Sequence, residues 1–150
     1  MNTLAHFLFN YVMLDVILGN AQPYFWYILV FSTLLDLDHL PYIFKVGKKV
    51  VHGLGSKCRS LFHELLGITL VSSVLAGGYF FIDKTIVMIA AYSYLFHLSV
   101  DFLMGRSRPY YPFSKKEVYL GLITSKTMRI MVEVLFTSIF GGLTWYLLIK

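Results

Sequence analysis

Residues 85–101 of the chain read TIVMIAAYSYLFHLSVD. The first 16 of these residues carry no formal charge, and only His97 interrupts their apolar character. A membrane-spanning helix needs about 20 apolar residues, with a lower limit near 17. This segment therefore predicts a membrane helix that includes a few flanking residues. Asp101 follows His97 by four positions, so both lie on one face of that helix.

Four other segments share this apolar character: residues 4–18, 24–44, 65–82 and 134–149. The chain of 150 residues is 57% hydrophobic and only 14% charged, whereas an ordinary soluble domain has about 25% charged residues. A soluble protein of this size cannot bury five such helices. We therefore expect an all-α fold, in which residues 1–150 form a single integral-membrane domain with four to five membrane helices. The first segment is short, so whether it spans the bilayer or lies at its surface stays open.

The basic residues cluster in two short connections. Five of the 13 Lys and Arg residues lie within 45–59, and six lie within 106–129. The positive-inside rule places both connections in the cytoplasm. This explanation of the basic residues predicts membrane lipids as partners and no nucleic acid. Residues 114–117, Ser-Lys-Lys-Glu, match a capping box. This motif predicts a short interfacial helix over residues 115–123.

The ionisable residues of the apolar segments gather at the ends expected to face the cytoplasm. An ionisable residue inside a membrane segment is costly and marks a candidate functional site. Imidazole and carboxylate together suit zinc, iron or manganese. The number of such residues exceeds the usual number of ligands of one ion. We therefore expect one or two divalent ions, with zinc favoured. The candidate metal ligands are His6, Asp36, Asp38, His39, His63, His97 and Asp101.

Each of these residues also has a simpler explanation. The stretch Asp36-Leu37-Asp38-His39 suits a helix end that meets water. His63 and His97 are of the type that packs or stacks in an apolar interior, and His6 lies close to a terminus. The expected metal site therefore depends on their joint placement and not on any single residue.

A carboxylate that is not bound to the metal can accept a proton. Asp38 or Glu64 is a candidate to take the proton of an attacking water. Glu64 points about 100° away from His63 around a helix, so it is a ligand, a base or neither. Glu133 follows Arg129 by four residues and suits an intrahelical ion pair instead.

Arginines near the candidate ligands suit an anionic substrate, because a guanidinium binds phosphate in a bidentate manner. Anchoring at the inner membrane surface explains them equally well. The candidates are Arg59, Arg106 and Arg108. A site just beneath the lipid headgroups favours a lipid or a lipid-linked phosphoester as the substrate.

The order of these motifs resembles the YdjM-like family of inner-membrane metal-dependent hydrolases of the LexA-regulated type, which is distantly similar to zinc-dependent phospholipase C. The resemblance covers about three quarters of the chain, and it implies a metal site, hydrolysis and a prokaryotic inner membrane. The matching positions are His6; Asp36-Leu37-Asp38-His39; Arg59 to His63; His97 to Asp101; and Gly105, Pro109 and Pro112-Phe113-Ser114. The chain departs from the family pattern at Leu35, Phe62 and Glu64.

Together these features predict a membrane-bound metal-dependent hydrolase, acting on a phosphoester at the cytoplasmic membrane face. Catalytic roles are expected for Asp38, Glu64 and Arg59, and substrate binding for Arg106 and Arg108. The alternative is a non-enzymatic metal-binding membrane protein, such as a carrier, a sensor or a structural adaptor. A transporter site near the bilayer midplane is disfavoured, because the polar residues lie at one end of the segments.

Overall fold

The computed structural model describes residues 2–39, 63–104, 106–107, 109–110, 113–114, 116, 118–120, 122–123 and 125–150. Its helices are α1 (Thr3–Leu18), α2 (Phe25–Leu34), α3 (Leu65–Gly78), α4 (Lys84–Met104) and α5 (Lys126–Ile149). The 3-10 turns Gln22–Tyr24 and Leu35–His39 flank α2. Two short strands, β1 (Arg106–Ser107) and β2 (Val118–Tyr119), pair in an antiparallel manner. The all-α expectation is confirmed for the described residues, with this two-residue pairing added.

Helix α1 lies at the centre of the bundle. It packs against α2, α4 and α5, and its residues Ala5, Tyr11 and Leu14 are fully buried. A helix that is apolar on every side is typical of a helix surrounded by other helices. This packing disfavours the alternative in which the first segment lies flat on the membrane surface.

Polar residues fix both ends of α1. The Asn2 side-chain oxygen accepts a hydrogen bond from the backbone N–H of Ala5 at 2.7 Å, as expected for an N-cap. Gly19 ends the helix with a left-handed φ of 75°, and its N–H donates to the Asp15 carbonyl. The Asp15 carboxylate accepts from the N–H of Ala21 at 2.8 Å. The charge that interrupts the first apolar segment therefore stabilises the turn after α1.

Two helices are long and apolar enough to cross a membrane, judged by length and composition: Lys84–Met104 and Thr127–Ile149. Helices α1, α2 and α3 have 16, 10 and 14 residues. Fourteen residues of α-helix extend only about 21 Å, and the hydrocarbon core of a bilayer is about 30 Å thick. The described helices thus support two spans, and not the expected four to five. Helix α3 is shorter than its apolar segment because the chain turns directly after Gly78.

The expected interfacial helix over residues 115–123 is wrong. Val118 and Tyr119 are extended and pair with β1. The Ser114 hydroxyl accepts from the N–H of Lys116 at 3.2 Å, two residues further on instead of the three of a capping box. β-Branched and aromatic residues favour strands, and here the partner strand lies more than ten residues away in the sequence.

Helix α5 begins eight residues before the last apolar segment. The Ser125 hydroxyl accepts from the N–H of Met128 at 3.1 Å and caps the helix. The first turns therefore include Arg129 and Glu133, whose side chains approach to 3.6 Å. The ion pair predicted between these two residues is confirmed.

Two glycines test the ends and the interior of the bundle. Gly19 has the φ of 75° that disfavours a side chain, whereas a Cβ at Gly141 would meet Leu8 at an ordinary 3.7 Å. We expect Gly19→Ala to lower the free energy of unfolding by about 1–2 kcal/mol. Gly141→Ala should raise it by up to about 1 kcal/mol, because helical glycine costs backbone entropy. Unfolding by SDS titration, followed by circular dichroism, measures both. Equal effects would contradict the capping role of Gly19.

Candidate metal centre

Four parts of the chain bring five of the predicted ligands to one end of the bundle. Helix α1 begins at this end and α4 finishes there, while α2 leads to it and α3 leads away from it. The side chains of His6, His63 and His97 are buried, and that of Asp101 is only slightly exposed. The five ligands are His6 on α1, Asp36 in the turn after α2, His63 just before α3, and His97 and Asp101 on α4.

His97 is the centre of this cluster. Its Nε2 lies 3.4 Å from His63 Nε2, 3.6 Å from Asp36 Oδ1 and 3.9 Å from Asp101 Oδ2. Its Nδ1 lies 3.2 Å from the carbonyl oxygen of Ser32. Because a carbonyl oxygen only accepts, Nδ1 carries the proton and donates. A neutral His97 therefore presents a lone pair at Nε2.

Asp101 contacts two histidines of the cluster, one with each carboxylate oxygen. Its Oδ1 lies 3.2 Å from His6 Nε2, and its Oδ2 lies 3.7 Å from His63 Nε2. The rings of His6 and His97 stack, with centroids 3.8 Å apart and 14° between their planes. A carboxylate with one oxygen toward His6 and the other toward His63 can bridge two ions or bind one.

Two overlapping sets of donor atoms, each within 4.8 Å, could hold a metal ion. The first comprises His6, Asp36 and His97, and the second comprises His63, His97 and Asp101. Since His97 belongs to both sets, its position determines the geometry of the whole cluster.

Carboxylate oxygens and imidazole lone pairs share a small buried volume in the cluster. The Nε2 lone pair of His97 faces carboxylate oxygens of Asp36 and Asp101, and ionised carboxylates are acceptors only. His63 Nε2, 3.4 Å from His97 Nε2, and His6 Nε2, 3.2 Å from Asp101 Oδ1, are placed to donate to two of these acceptors. Within the described part of the chain, His6 Nδ1 and Asp36 Oδ2 are buried without a hydrogen-bond partner. A cation among these atoms would supply the partner that Asp36 lacks.

The donor set fits a divalent metal ion. In a tetrahedral zinc site with bonds of about 2.0–2.1 Å, neighbouring ligand atoms lie about 3.3–3.4 Å apart. The contacts of 3.4, 3.6 and 3.7 Å around His97 and His63 are close to this separation. The hydrogen bond from His97 to Ser32 is of the kind that orients a metal-ligating histidine. Mixed imidazole and carboxylate ligands also suit manganese and iron.

A second polar layer, which the sequence analysis missed, lies one turn away from the ligands. Asn10 Nδ2 donates to Ser32 Oγ at 2.8 Å and to the Ser93 carbonyl at 3.3 Å. All three residues are fully buried. The signal was present as spacing, because each lies four residues from a ligand: Asn10 from His6, Ser32 from Asp36, and Ser93 from His97. This layer joins α1, α2 and α4 directly beside the cluster.

Glu64 and Glu133 occupy different environments. Glu64 is 2% exposed and is the N-cap residue of α3, beside His63. It is not part of the two donor sets found among the described residues. Glu133 lies on α5 in its ion pair with Arg129. Glu64 is therefore buried next to a candidate ligand, whereas Glu133 is engaged with Arg129 on a different helix.

The remaining predicted site residues are described only in part. Asp38 and His39 lie in the 3-10 turn after α2, and Arg106 lies in β1, with backbone alone described. Arg59 and Arg108 lie outside the described residues. Their predicted roles stay predictions.

A helical bundle with two apolar helices fit to cross a membrane, and with a buried His and Asp cluster at one end, defines a membrane protein with a candidate metal centre. The sequence model of the YdjM inner membrane protein family matches residues 1–149. The chain therefore belongs to the YdjM inner membrane protein family, which confirms the family that its motifs indicated. The hydrolase activity and the similarity to phospholipase C stay predictions. Family membership and the two apolar helices support an inner-membrane location. Searches of curated proteins and of solved structures found no match.

The cluster can be tested by comparing two carboxylates near the same end of the bundle. Asp101→Asn should weaken metal binding by at least about 10–100-fold, the loss typical even of residues that only support a ligand. Glu133→Gln removes an ion pair whose Arg129 side chain is 44% exposed, and such a pair contributes up to about 1 kcal/mol. Elemental analysis after dialysis against metal buffers measures both variants.

Equal metal content in the two variants would return Asp101 to a packing role. Loss of metal in Glu133→Gln alone would place the site on other helices.

The polar layer gives a second test. Asn10→Leu keeps the volume but removes the donor that holds Ser32, so we expect metal affinity to fall about tenfold, as for other residues that orient ligands. Tyr11→Phe is the matched control, because Tyr11 is adjacent, equally buried, and its hydroxyl has no hydrogen-bond partner in the described structure. Competition with a zinc-binding dye measures the affinities. Equal affinities in both variants would show that the layer does not orient the cluster.

Proposed function

We propose that this protein is a membrane-bound metal-dependent hydrolase that cleaves a phosphoester of a lipid or lipid-linked substrate at the cytoplasmic face of the inner membrane. The observation that carries the proposal is the cluster of three buried imidazoles and two carboxylates, of which Asp101 is buried and Asp36 is partly exposed. Such ligands suit zinc, with manganese or iron as alternatives. Sites with two adjacent ions serve phosphoester hydrolysis.

A bound divalent ion supplies Lewis acidity toward a phosphoryl oxygen and toward an attacking water. The protein contributes position and proton transfer. Ser32 orients His97 through its carbonyl, and Asp101 fixes His6 through a 3.2 Å contact. These contacts hold the ligand atoms before a substrate arrives, and such preorganisation is what a hydrolytic site requires.

Glu64 is the proposed proton acceptor, with Asp38 as the alternative. The oxygen of the attacking water forms a bond to phosphorus while the bond to the leaving oxygen breaks. The proton of the water passes to the carboxylate, and the leaving oxygen takes a proton from solvent. Glu64 suits this role because it is buried and directly follows the candidate ligand His63 in the chain.

Arginines are proposed to hold the anionic phosphoryl group. Arg106 follows Asp101 by five residues, and its backbone lies in β1, directly after α4. Arg59 and Arg108 complete this group on sequence grounds. A guanidinium is the preferred partner for bidentate contact with phosphate.

The cytoplasmic orientation of the cluster is also part of the proposal. Along the chain, α4 ends just before the second basic connection and α3 begins shortly after the first. The candidate ligands on α4 and just before α3 are therefore close in sequence to both connections. Short basic connections favour the cytoplasmic side. In this topology α1 and α3 complete the bundle as short, membrane-embedded helices.

Cysteine labelling tests the topology. Cys58 is the single cysteine and lies in the first basic connection. In intact cells we expect an impermeant maleimide to leave Cys58 unmodified, and to modify Asp83→Cys in a Cys58→Ser background. Ser114→Cys in the same background should react only after the membrane is opened. Opposite accessibility of the two basic connections would contradict a shared cytoplasmic site.

Activity tests the hydrolase itself. The purified protein should hydrolyse bis(p-nitrophenyl) phosphate, lose this activity to a chelator, and regain it with zinc or manganese. Glu64→Gln should lower kcat by about 10²–10⁴-fold, as expected for loss of a general base, with unchanged metal content. Glu133→Gln serves as the control.

Full activity of Glu64→Gln would transfer the proton-accepting role to Asp38 or to solvent. Stoichiometric metal with no hydrolysis of chromogenic or lipid phosphoesters would favour the non-enzymatic alternative, a metal carrier, sensor or structural adaptor.

A further inference from the structure

A cavity of about 340 Å³ lies between α3 and α4, directly beside the cluster. Two of the candidate ligands, His63 and Asp101, line it. Most of the remaining wall is apolar and comes from both helices, with Leu65 and Ile68 on α3 facing a row of residues on α4. The cavity therefore has a polar end at the ligands and an apolar body.

The cavity is part of the outer surface of the bundle. Leu65 and Leu95, on opposite walls, are 48% and 51% exposed. Among its residues, α3 has only Gly67 buried. In an inner-membrane protein, an exposed apolar surface of this kind meets the hydrocarbon of the bilayer.

A backbone contact holds one wall in place. The N–H of Leu65 donates to the carbonyl of Pro109 at 3.2 Å, and Pro109 itself lines the cavity. The start of α3 is thereby tied to the chain that follows α4. Leu65 follows the candidate ligand His63 by two residues, so this bond positions the cavity wall next to the cluster.

We infer that this cavity binds one hydrocarbon chain of the substrate lipid, which enters sideways from the bilayer between α3 and α4. The inference rests on the proposed hydrolase function. An amphiphile matches both parts of the cavity, because its phosphoester meets His63 and Asp101 while its chain lies along the leucines. The volume is within the range of about 300–1,000 Å³ that is usual for small-molecule sites.

The chain contributes orientation more than affinity. A chain that leaves the bilayer for an apolar cavity gains little hydrophobic free energy, because lipid tails are equally apolar. The cavity instead determines where the phosphoester lies relative to the ligands. A displacement of about 1 Å at a reacting centre can reduce the rate about 100-fold. The cavity should therefore affect substrates with a chain more than substrates without one.

Two serines provide a matched pair of variants. The Ser99 hydroxyl donates to the Leu95 carbonyl at 2.7 Å, and the Ser73 hydroxyl donates to the Thr69 carbonyl at 2.8 Å. Both side chains are exposed on helices, but of the two only Ser99 is among the cavity-lining residues. Phenylalanine at either position removes the same kind of hydrogen bond, and only Ser99→Phe fills the cavity.

The kinetic experiment uses two chromogenic phosphodiesters, dodecyl p-nitrophenyl phosphate and methyl p-nitrophenyl phosphate. The readout is the ratio of their kcat/KM values in one detergent. Wild type and Ser73→Phe should prefer the dodecyl ester, and Ser99→Phe should lower this preference at least about tenfold through misplacement of the phosphoester. A ratio that is unaltered in Ser99→Phe, or lowered equally in Ser73→Phe, would overturn the inference.

A second measurement does not depend on turnover. Dodecylphosphonate with a diazirine at the end of its chain should label residues 65–68 and 95–102 on irradiation, and Ser99→Phe should abolish this labelling. Labelling of the cavity without hydrolysis would refute the proposed activity and support the chain site. Hydrolysis with scattered labelling, or a cross-link from Ser99→Cys to a second copy of the chain, would refute the chain site and leave the activity standing.

Discussion

The contacts of His97 with Asp36, Asp101 and His63 join α4 to the turn after α2 and to the start of α3. The imidazole donates from Nδ1 to the Ser32 carbonyl, so its other nitrogen meets carboxylate oxygens as an acceptor. Buried acceptors need a donor or a cation beside them. The Nε2 atoms of His63 and His6 lie within reach of His97 and Asp101, whereas Asp36 Oδ2 is buried without a hydrogen-bond partner. The divalent ion that we propose would hold together side chains from α1, α4 and the turn after α2, and would link them to His63.

Several features of the fold bring these residues together. Helix α1 is apolar on every side and lies at the centre of the bundle, which brings His6 to the cluster and Asn10 to the polar layer beside it. Helix α2 gives way to a 3-10 turn at the level of Asp36. Helix α5 contributes none of the described ligands and exposes an apolar surface, as expected for a helix that faces lipid. The described candidate ligands therefore come from α1, α4 and the chain next to α2 and α3, and the cavity beside them opens at the outer surface of the bundle.

The sequence identified residues of the cluster where an ionisable side chain interrupts an apolar run, because burial of such a residue needs a partner. His97 and Asp101 are of this kind, and the structure brings them together with three other candidates. Asn10 was missed because a single amide in a helix carries no comparable penalty, and its role depends on contacts with other helices. The interfacial helix over residues 115–123 was wrong for a related reason: a capping motif is local, whereas the pairing of β1 with β2 depends on tertiary structure. The length of α3 was also overestimated, since uniform hydropathy does not show where a helix turns after Gly78.

X-ray absorption at the zinc edge of the wild-type protein, purified in detergent and loaded with zinc, tests the central claim most directly. We expect nitrogen and oxygen ligands at about 2.0–2.1 Å, with the outer-shell scattering of at least two imidazoles. Sulfur ligation at about 2.3 Å, which would indicate Cys58, contradicts the cluster as the metal centre. A folded protein that binds no zinc under these conditions contradicts it equally.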